Sequence, residues 1–312
     1  GYLNEDAYYI TIDDLRLWKK HKSTIKATKM SGKTDIFVYN LTTNYKNIER
    51  ILRDTDTLIV VLGVHVPGKY LSAVPGTLNE IIPMIRDLRC KKILTGPAVF
   101  GTQLFGGKFY EKADTGIFDS IDYSMFNLPY KDVKEYSVKG AKIIRQIPDC
   151  RMVEIETGHG CDIGKCSFCT EPIKNKVEFR EKDDVLGEIC EFYNLGARFF
   201  RLGKQTCFYT VPYAAELLKE IKEKCPNIKV LHIDNVNPVK VMMDGKNGFE
   251  ITKAIVKYCT SGNIAAFGVE FFGGNERVAH GLHDAWQELL PIQRHLRRLG
   301  RLELEGYRRN VP

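Results

Sequence analysis

Short runs of β-branched and aliphatic residues alternate along this chain with stretches whose apolar positions recur at helical spacing. DIFVYN (35–40) and TLIVVLG (57–63) have the length and composition of strands, and Tyr45, Ile48 and Leu52 between them share one helical face. Leu78, Ile81, Ile82, Ile85 and Leu88 follow the i, i+3, i+4, i+7 pattern of an amphipathic helix. KKILTGPAVFG (91–101) predicts a further strand closed by a turn, and YYITI (8–12) an earlier strand of the same sheet. Strands alternating with helices predict a parallel sheet with helices on its faces. From Gly101 to about Asp149 the pattern gives way to a loop-rich stretch punctuated by Pro129 and Pro148, where a domain boundary is expected.

The alternation then restarts. RMVEIET (151–157) predicts a strand, Asp183 to Leu195 a helix, and ARFFRLG (197–203) a second strand. Ala214, Leu217, Leu218 and Ile221 mark a helix that runs up to Pro226, and IKVLHID (228–234) a third strand. Glu250 to Cys259 reads as a helix and NIAAFGVE (263–270) as a fourth strand. Such an order is that of the first half or more of a (β/α) barrel. After residue 270 the periodicity fades, and residues 271–312 contain arginine but no lysine. Two readings of this tail stay open: a truncated or frame-shifted end, or an Arg-rich terminal helix over about 285–299. The expected organisation is therefore 1–148, 149–270 and an atypical segment 271–312.

Composition narrows the class. No apolar run reaches the roughly 18 residues of a membrane helix, and the first residues have no signal-peptide pattern, so a cytoplasmic protein without membrane contact is expected. The net charge of +7 is spread among interspersed acids and bases, with no basic block or nucleic-acid motif, so nucleic acid is not indicated as a partner. Nine cysteines is a high and odd number, and in such a chain clustered thiols hold a metal more often than they form disulfides.

Three of those cysteines are close together, in EIETGHGCDIGKCSFCTEP (154–172). Cys161, Cys166 and Cys169 have the spacing C-x4-C-x2-C. Structural zinc takes four ligands, usually as two spaced pairs, and no second pair is present in the sequence. Thiolates suit iron–sulfur clusters, and four irons on three cysteines leave one iron open to a cofactor or substrate. The loop follows a predicted strand directly and contains Gly158, Gly160 and Gly164, which let backbone wrap closely around a cluster. At the C-terminal end of a barrel strand, it lies where such barrels keep their active sites. The same spacing also occurs in plant-type ferredoxins, where a distant fourth cysteine, here Cys190 or Cys207, would complete a [2Fe–2S] site.

On the strand-then-cysteine-loop order, Phe168 beside the third cysteine and the downstream βα repeat, the chain resembles the radical S-adenosylmethionine (SAM) superfamily. Its first gap is one residue longer than the usual C-x3-C-x2-C. The resemblance implies a [4Fe–4S] cluster on Cys161, Cys166 and Cys169, with SAM chelated by the open iron. It implies reductive cleavage of SAM to a 5′-deoxyadenosyl radical, then hydrogen abstraction or a methyl- or methylthio-type transfer, with a flavodoxin- or ferredoxin-like electron donor. Phe168 matches the aromatic beside adenine, or plugs the loop from below. Gly203 matches the turn that holds the SAM amine. Lys204 and Gln205 line that rim or lie on the surface, and Cys207 beside it is a buried structural thiol. Asp234, Asn235 and Asn237 sit where ribose or carboxylate contacts arise, or form the turn before Pro238. Glu270 matches a ribose-touching position, while His159 and Lys165 are loop-surface residues. The first domain resembles the doubly wound, Rossmann-like cobalamin-binding domain that precedes many radical SAM barrels. Its D-x-H-x-x-G cobalt-ligand motif has Gly63 for Asp in GVHVPG (63–68), so cobalamin lacks its usual support. The glycine run GTQLFGG (101–107) is a weak phosphate signal. A non-catalytic iron–sulfur carrier and an inactive fragment of such an enzyme remain as alternatives.

Overall fold

The structure, a computed structural model, describes residues 7–20, 41–63, 76–100, 115–124, 128–148, 152–161, 176–203, 207–236, 245–260 and 265–267. The chain divides into two compact units, Gly1–Asp149 and Cys150–Pro312. It is a mixed α/β protein with parallel sheets, and none of these sheets closes on itself. The predicted strand at 35–40, most of the 63–68 motif, the 101–107 glycine run and everything beyond 267 lie outside the described residues.

In the first unit, α1 (Ile12–Lys20), a 3-10 turn (Tyr45–Asn47) and α2 (Ile48–Arg53) precede β1 (Thr57–Val61), α3 (Leu78–Ile85) and β2 (Lys91–Thr95). β3 (Ser120–Ile121) completes a parallel sheet in the order β1-β2-β3, and α4 (Tyr130–Gly140) follows. Ile48, Leu52, Leu78, Ile81, Ile82, Ile85 and Leu94 pack into one apolar cluster, so the residues that set the helical period also form the core. Arg16 is buried with them, but Asp13 (2.8 Å) and Glu80 (2.7 Å) pair its guanidinium. Replacing Arg16 would leave the buried Asp13 carboxylate without this cation.

Two expectations are corrected here. Residues 8–11 form no strand; α1 begins at Ile12. The Thr11 amide donates to Asp14 Oδ2 (2.7 Å), and the Asp14 amide donates back to Thr11 Oγ1 (3.3 Å). This reciprocal cap outweighs the β-propensity of YYITI. The stretch after Gly101 is not loop throughout, since it contains α4 and a 3-10 turn at Ala141–Gln146. No residue of α4 is buried. Its half-buried face mixes Tyr130, Val133 and Tyr136 with Asp132, Ser137 and Gly140, so no apolar stripe reveals it.

The second unit runs β4 (Val153–Glu156), β5 (Gly158–His159), β6 (Glu178–Phe179), α5 (Lys182–Asn194), β7 (Phe199–Gly203), α6 (Ala214–Lys224), β8 (Val230–Val236), α7 (Gly245–Tyr258) and β9 (Ala265–Phe267). The sheet order β4-β7-β8-β9 is all parallel and follows the chain. Right-handed crossovers through α5, α6 and α7 therefore bring all three helices to one face. Ile155, Phe200, Leu202, Leu231 and Ile233 supply that face, none more than 2 % exposed. Fully burying a side chain of this size contributes roughly 1.5–3 kcal/mol.

Burial also perturbs a thiol in this core. Cys259, at the end of α7, has its pKa pushed up to about 12 by desolvation. An unfolded thiol titrates near about 8.5, so between the two values the unfolded chain has released a proton that the folded chain still holds. Stability is expected to fall by at most roughly 1.4 kcal/mol per pH unit from this group as pH rises through that window. Denaturant titrations at successive alkaline pH values should show a shallower fall for Cys259→Ala.

Candidate metal centre

The cysteine loop leaves and re-enters the second unit at the C-terminal end of β4. β5 and β6 are the two limbs of its stem, an antiparallel pair in which Gly158 faces Phe179 and His159 faces Glu178. Glycine is required at both close approaches. A Cβ on Gly158 would lie 2.7 Å from the Glu178 carbonyl oxygen, and one on Gly160 would lie 2.4 Å from that of Lys176. Gly160 also has φ +82°, a left-handed conformation that L side chains rarely adopt. Cys161 follows as a half-exposed free thiol. A soft donor at the mouth of a turn with closely packed backbone fits a thiolate-held cluster.

Arg180 anchors the returning limb. It is 3 % exposed, and its amide donates to the Thr157 carbonyl (3.0 Å) while Nη1 donates to the Glu156 carbonyl (3.0 Å). Nη1 also lies 2.6 Å from Glu188 Oε2 on α5, and the Tyr213 hydroxyl donates to the Arg180 carbonyl. The end of β4, the loop stem and both following helices are thus tied through one residue. Neither periodicity nor spacing marks Arg180 in the sequence. Its only local signal is its place just before the acidic first turn of α5.

The sheet face opposite the apolar row is charged. Glu154, Arg201 and His232 are in register across β4, β7 and β8. Arg201 pairs with Asp234 and lies 3.5 Å from Glu154 Oε1. Arg201, between buried Phe200 and Leu202, shows the period-2 alternation of a strand; its partners lie too far along the chain to be read locally.

Gly203 ends β7 opposite Glu156, and a Cβ there would meet Asp234 Oδ2 at 3.1 Å. Asn235 lies in β8, where the register with β9 slips between Ile233 and Asn235. The cysteine stem, Gly203, Asp234 and Asn235 therefore share the C-terminal edge of one parallel sheet. His159 Nδ1 and Nε2 lie 3.7 and 3.6 Å from Glu156 and Glu178. Cys207 is buried at the start of a short 3-10 turn, its carbonyl accepting from Thr210 Oγ1 at 2.7 Å. Cys166, Phe168, Cys169, Lys165, Lys204, Gln205, Asn237 and Glu270 lie outside the described residues. Among the described residues no three His, Cys, Asp or Glu side chains gather as a metal site, and no helix is long and apolar enough to cross a membrane.

Cys190 is placed away from this edge. Its Sγ lies 3.5 Å from that of Cys225, which caps the C-terminus of α6. In a βαβ unit the helix runs back, so its C-terminus lies at the N-terminal edge of the sheet. The Lys229 amide donates to the Arg198 carbonyl (2.8 Å) at that edge. Cys190 is thus on the wrong side of the sheet to serve as a fourth ligand for a cluster on Cys161.

No family model matches the sequence. The chain is 32% identical to an uncharacterized protein of Methanocaldococcus jannaschii, over 84% of this chain and 58% of the relative. It is 36% identical to an uncharacterized protein of Archaeoglobus fulgidus, over 75% of this chain and 46% of the relative. The chain spans about half the length of the curated relatives it matches.

Proposed function

We propose that this chain is a radical SAM enzyme, its second unit part of a (β/α) barrel and its first a Rossmann-like, doubly wound domain of the cobalamin-binding kind. One observation carries the reading: a C-x4-C-x2-C loop issues from the C-terminal end of the first strand of a four-stranded, all-parallel sheet. Ferredoxin-type carriers need no such sheet, and one of their two candidate fourth ligands, Cys190, faces the opposite edge.

In this reading Cys161, Cys166 and Cys169 hold a [4Fe–4S] cluster, and Gly158 and Gly160 let backbone amides approach it. Arg180 holds the return limb of the loop against the end of β4 through the carbonyls of Glu156 and Thr157. Phe168 beside the third cysteine, Gly203, Asn235 and Glu270 are the residues proposed to contact SAM. A cluster held by these thiolates would supply reductive cleavage of SAM and radical hydrogen abstraction from the substrate, given an electron from an external flavodoxin- or ferredoxin-like donor. The charged face of Glu154, Arg201, His232 and Asp234 favours a polar substrate, and the reaction class is hydrogen abstraction or a methyl- or methylthio-type transfer.

The test is anaerobic reconstitution with iron and sulfide, followed by dithionite and SAM. Cluster formation together with 5′-deoxyadenosine is the expected result. A cluster without 5′-deoxyadenosine identifies a carrier instead, and the lack of both an inactive fragment.

A further inference from the structure

The pair Cys190–Cys225 has no part in the proposed chemistry. It lies at the N-terminal edge of the second unit's sheet, away from the cysteine loop, and joins two helices that are separate in sequence. We propose that Cys190 and Cys225 are a thiol-oxidation site, closing to a reversible disulfide that staples α5 to α6.

Geometry carries the proposal. The two sulfurs are 3.5 Å apart, and a disulfide needs about 2.05 Å. The remaining approach of about 1.5 Å is within reach of small side-chain rotations where two helices pack. Access is one-sided: Cys225 is fully buried, while Cys190 is partly exposed. An incoming oxidant therefore meets Cys190 first. Burial, then the neighbouring Cys190, pushes the Cys225 thiol up to about 12, with Arg198 and Lys224 opposing. Reduced Cys225 thus packs as a neutral thiol, and the closed form removes a buried titratable group.

The oxidant is a small-molecule or protein disulfide. The Cys190 thiolate attacks one of its sulfurs, forming a mixed disulfide and expelling one thiol. Cys225 then loses its proton and attacks the Cys190 sulfur, expelling the second thiol. Two protein thiols are oxidised and one external disulfide is reduced to two thiols, so atoms and electrons balance. The bond closes a span of 35 residues in sequence. A cross-link of this length is expected to raise the melting midpoint by about 5–10 °C.

The experiment treats the full chain with oxidised glutathione, and a second sample with excess dithiothreitol, then digests both with trypsin without reduction. Mass spectrometry is expected to find the peptides 183–198 and 225–229 joined and two hydrogens lighter in the first sample only. The melting midpoint should rise with the joined pair and fall back on reduction. Cys190→Ala, a change at a partly exposed position, should remove both the joined pair and the rise. Glutathione retained on Cys190 without the joined pair, a joined pair that leaves the midpoint unchanged, or a rise that persists in Cys190→Ala overturns the proposal. None of these readouts depends on the cluster, so failure here leaves the radical SAM reading untouched.

Discussion

Cys161→Ala is expected to abolish the brown chromophore formed on anaerobic reconstitution, lower the bound iron to background and eliminate 5′-deoxyadenosine. A cubane on three thiolates has no spare protein ligand, so removing one leaves two irons without protein sulfur and the cluster is not retained. The loss is not one of folding. Cys161 is partly exposed, two residues beyond β5 and outside the apolar core, and substitutions away from buried features usually alter stability by within about 0.5 kcal/mol. The apo-variant should therefore melt close to the apo-wild type, which separates loss of a ligand from loss of the unit. Iron and colour unchanged in Cys161→Ala, and likewise in Cys166→Ala and Cys169→Ala, would refute the cluster assignment.

The second large effect comes from a residue that donates nothing to metal. Gly160→Val is expected to release most of the iron although all three thiols remain. Its Cβ would lie 2.4 Å from the Lys176 carbonyl oxygen and 2.8 Å from Val177 Cα, both backbone atoms that no rotamer change can move. The left-handed φ adds strain of roughly 1–3 kcal/mol for a non-glycine residue. The two limbs must separate, and with them the positions from which the thiolates converge. Gly187→Ala is the control. A methyl added at that exposed glycine in α5 would meet nothing within 4 Å, and its φ is an ordinary helical one. Alanine there should keep the iron and stabilise by up to about 1 kcal/mol. Full iron occupancy in Gly160→Val would show that the stem does not shape the site.

Both predictions depend on different parts of what the chain makes readable. The strands at 57–61, 91–95, 153–156, 199–203 and 230–236 are legible in sequence because each is a short run of β-branched and aliphatic residues, unbroken in TLIVV and alternating with polar ones in VEIE and VLHIDNV. The helices α3, α5, α6 and α7 are legible because each buries a continuous stripe. Where burial does not follow the local pattern, reading fails. YYITI has strand composition, yet Thr11 and Asp14 turn its end into a helix cap. α4 has no fully buried residue, and its half-buried face mixes Val133 and Tyr136 with Asp132 and Ser137, so no apolar stripe marks it. At the candidate site the three thiols and their glycines are legible from spacing alone, whereas Arg180 is not. Its role comes from carbonyls of Glu156 and Thr157, more than twenty residues away.

By itself, the sequence determined the alternation of the four parallel strands with the three helices of the second unit, and the spacing of the three candidate thiolates. Both are properties of neighbours within a helical turn, a pleat or a short loop. Only the tertiary structure decided that the cysteine loop stands on an antiparallel stem, that Glu154, Arg201 and His232 share a row, and that Cys190 faces Cys225 instead of the cysteine loop. The reason is physical. Register and helix packing are set by burying whole faces against partners some 30 to 50 residues away, and no local period encodes which of those partners is met.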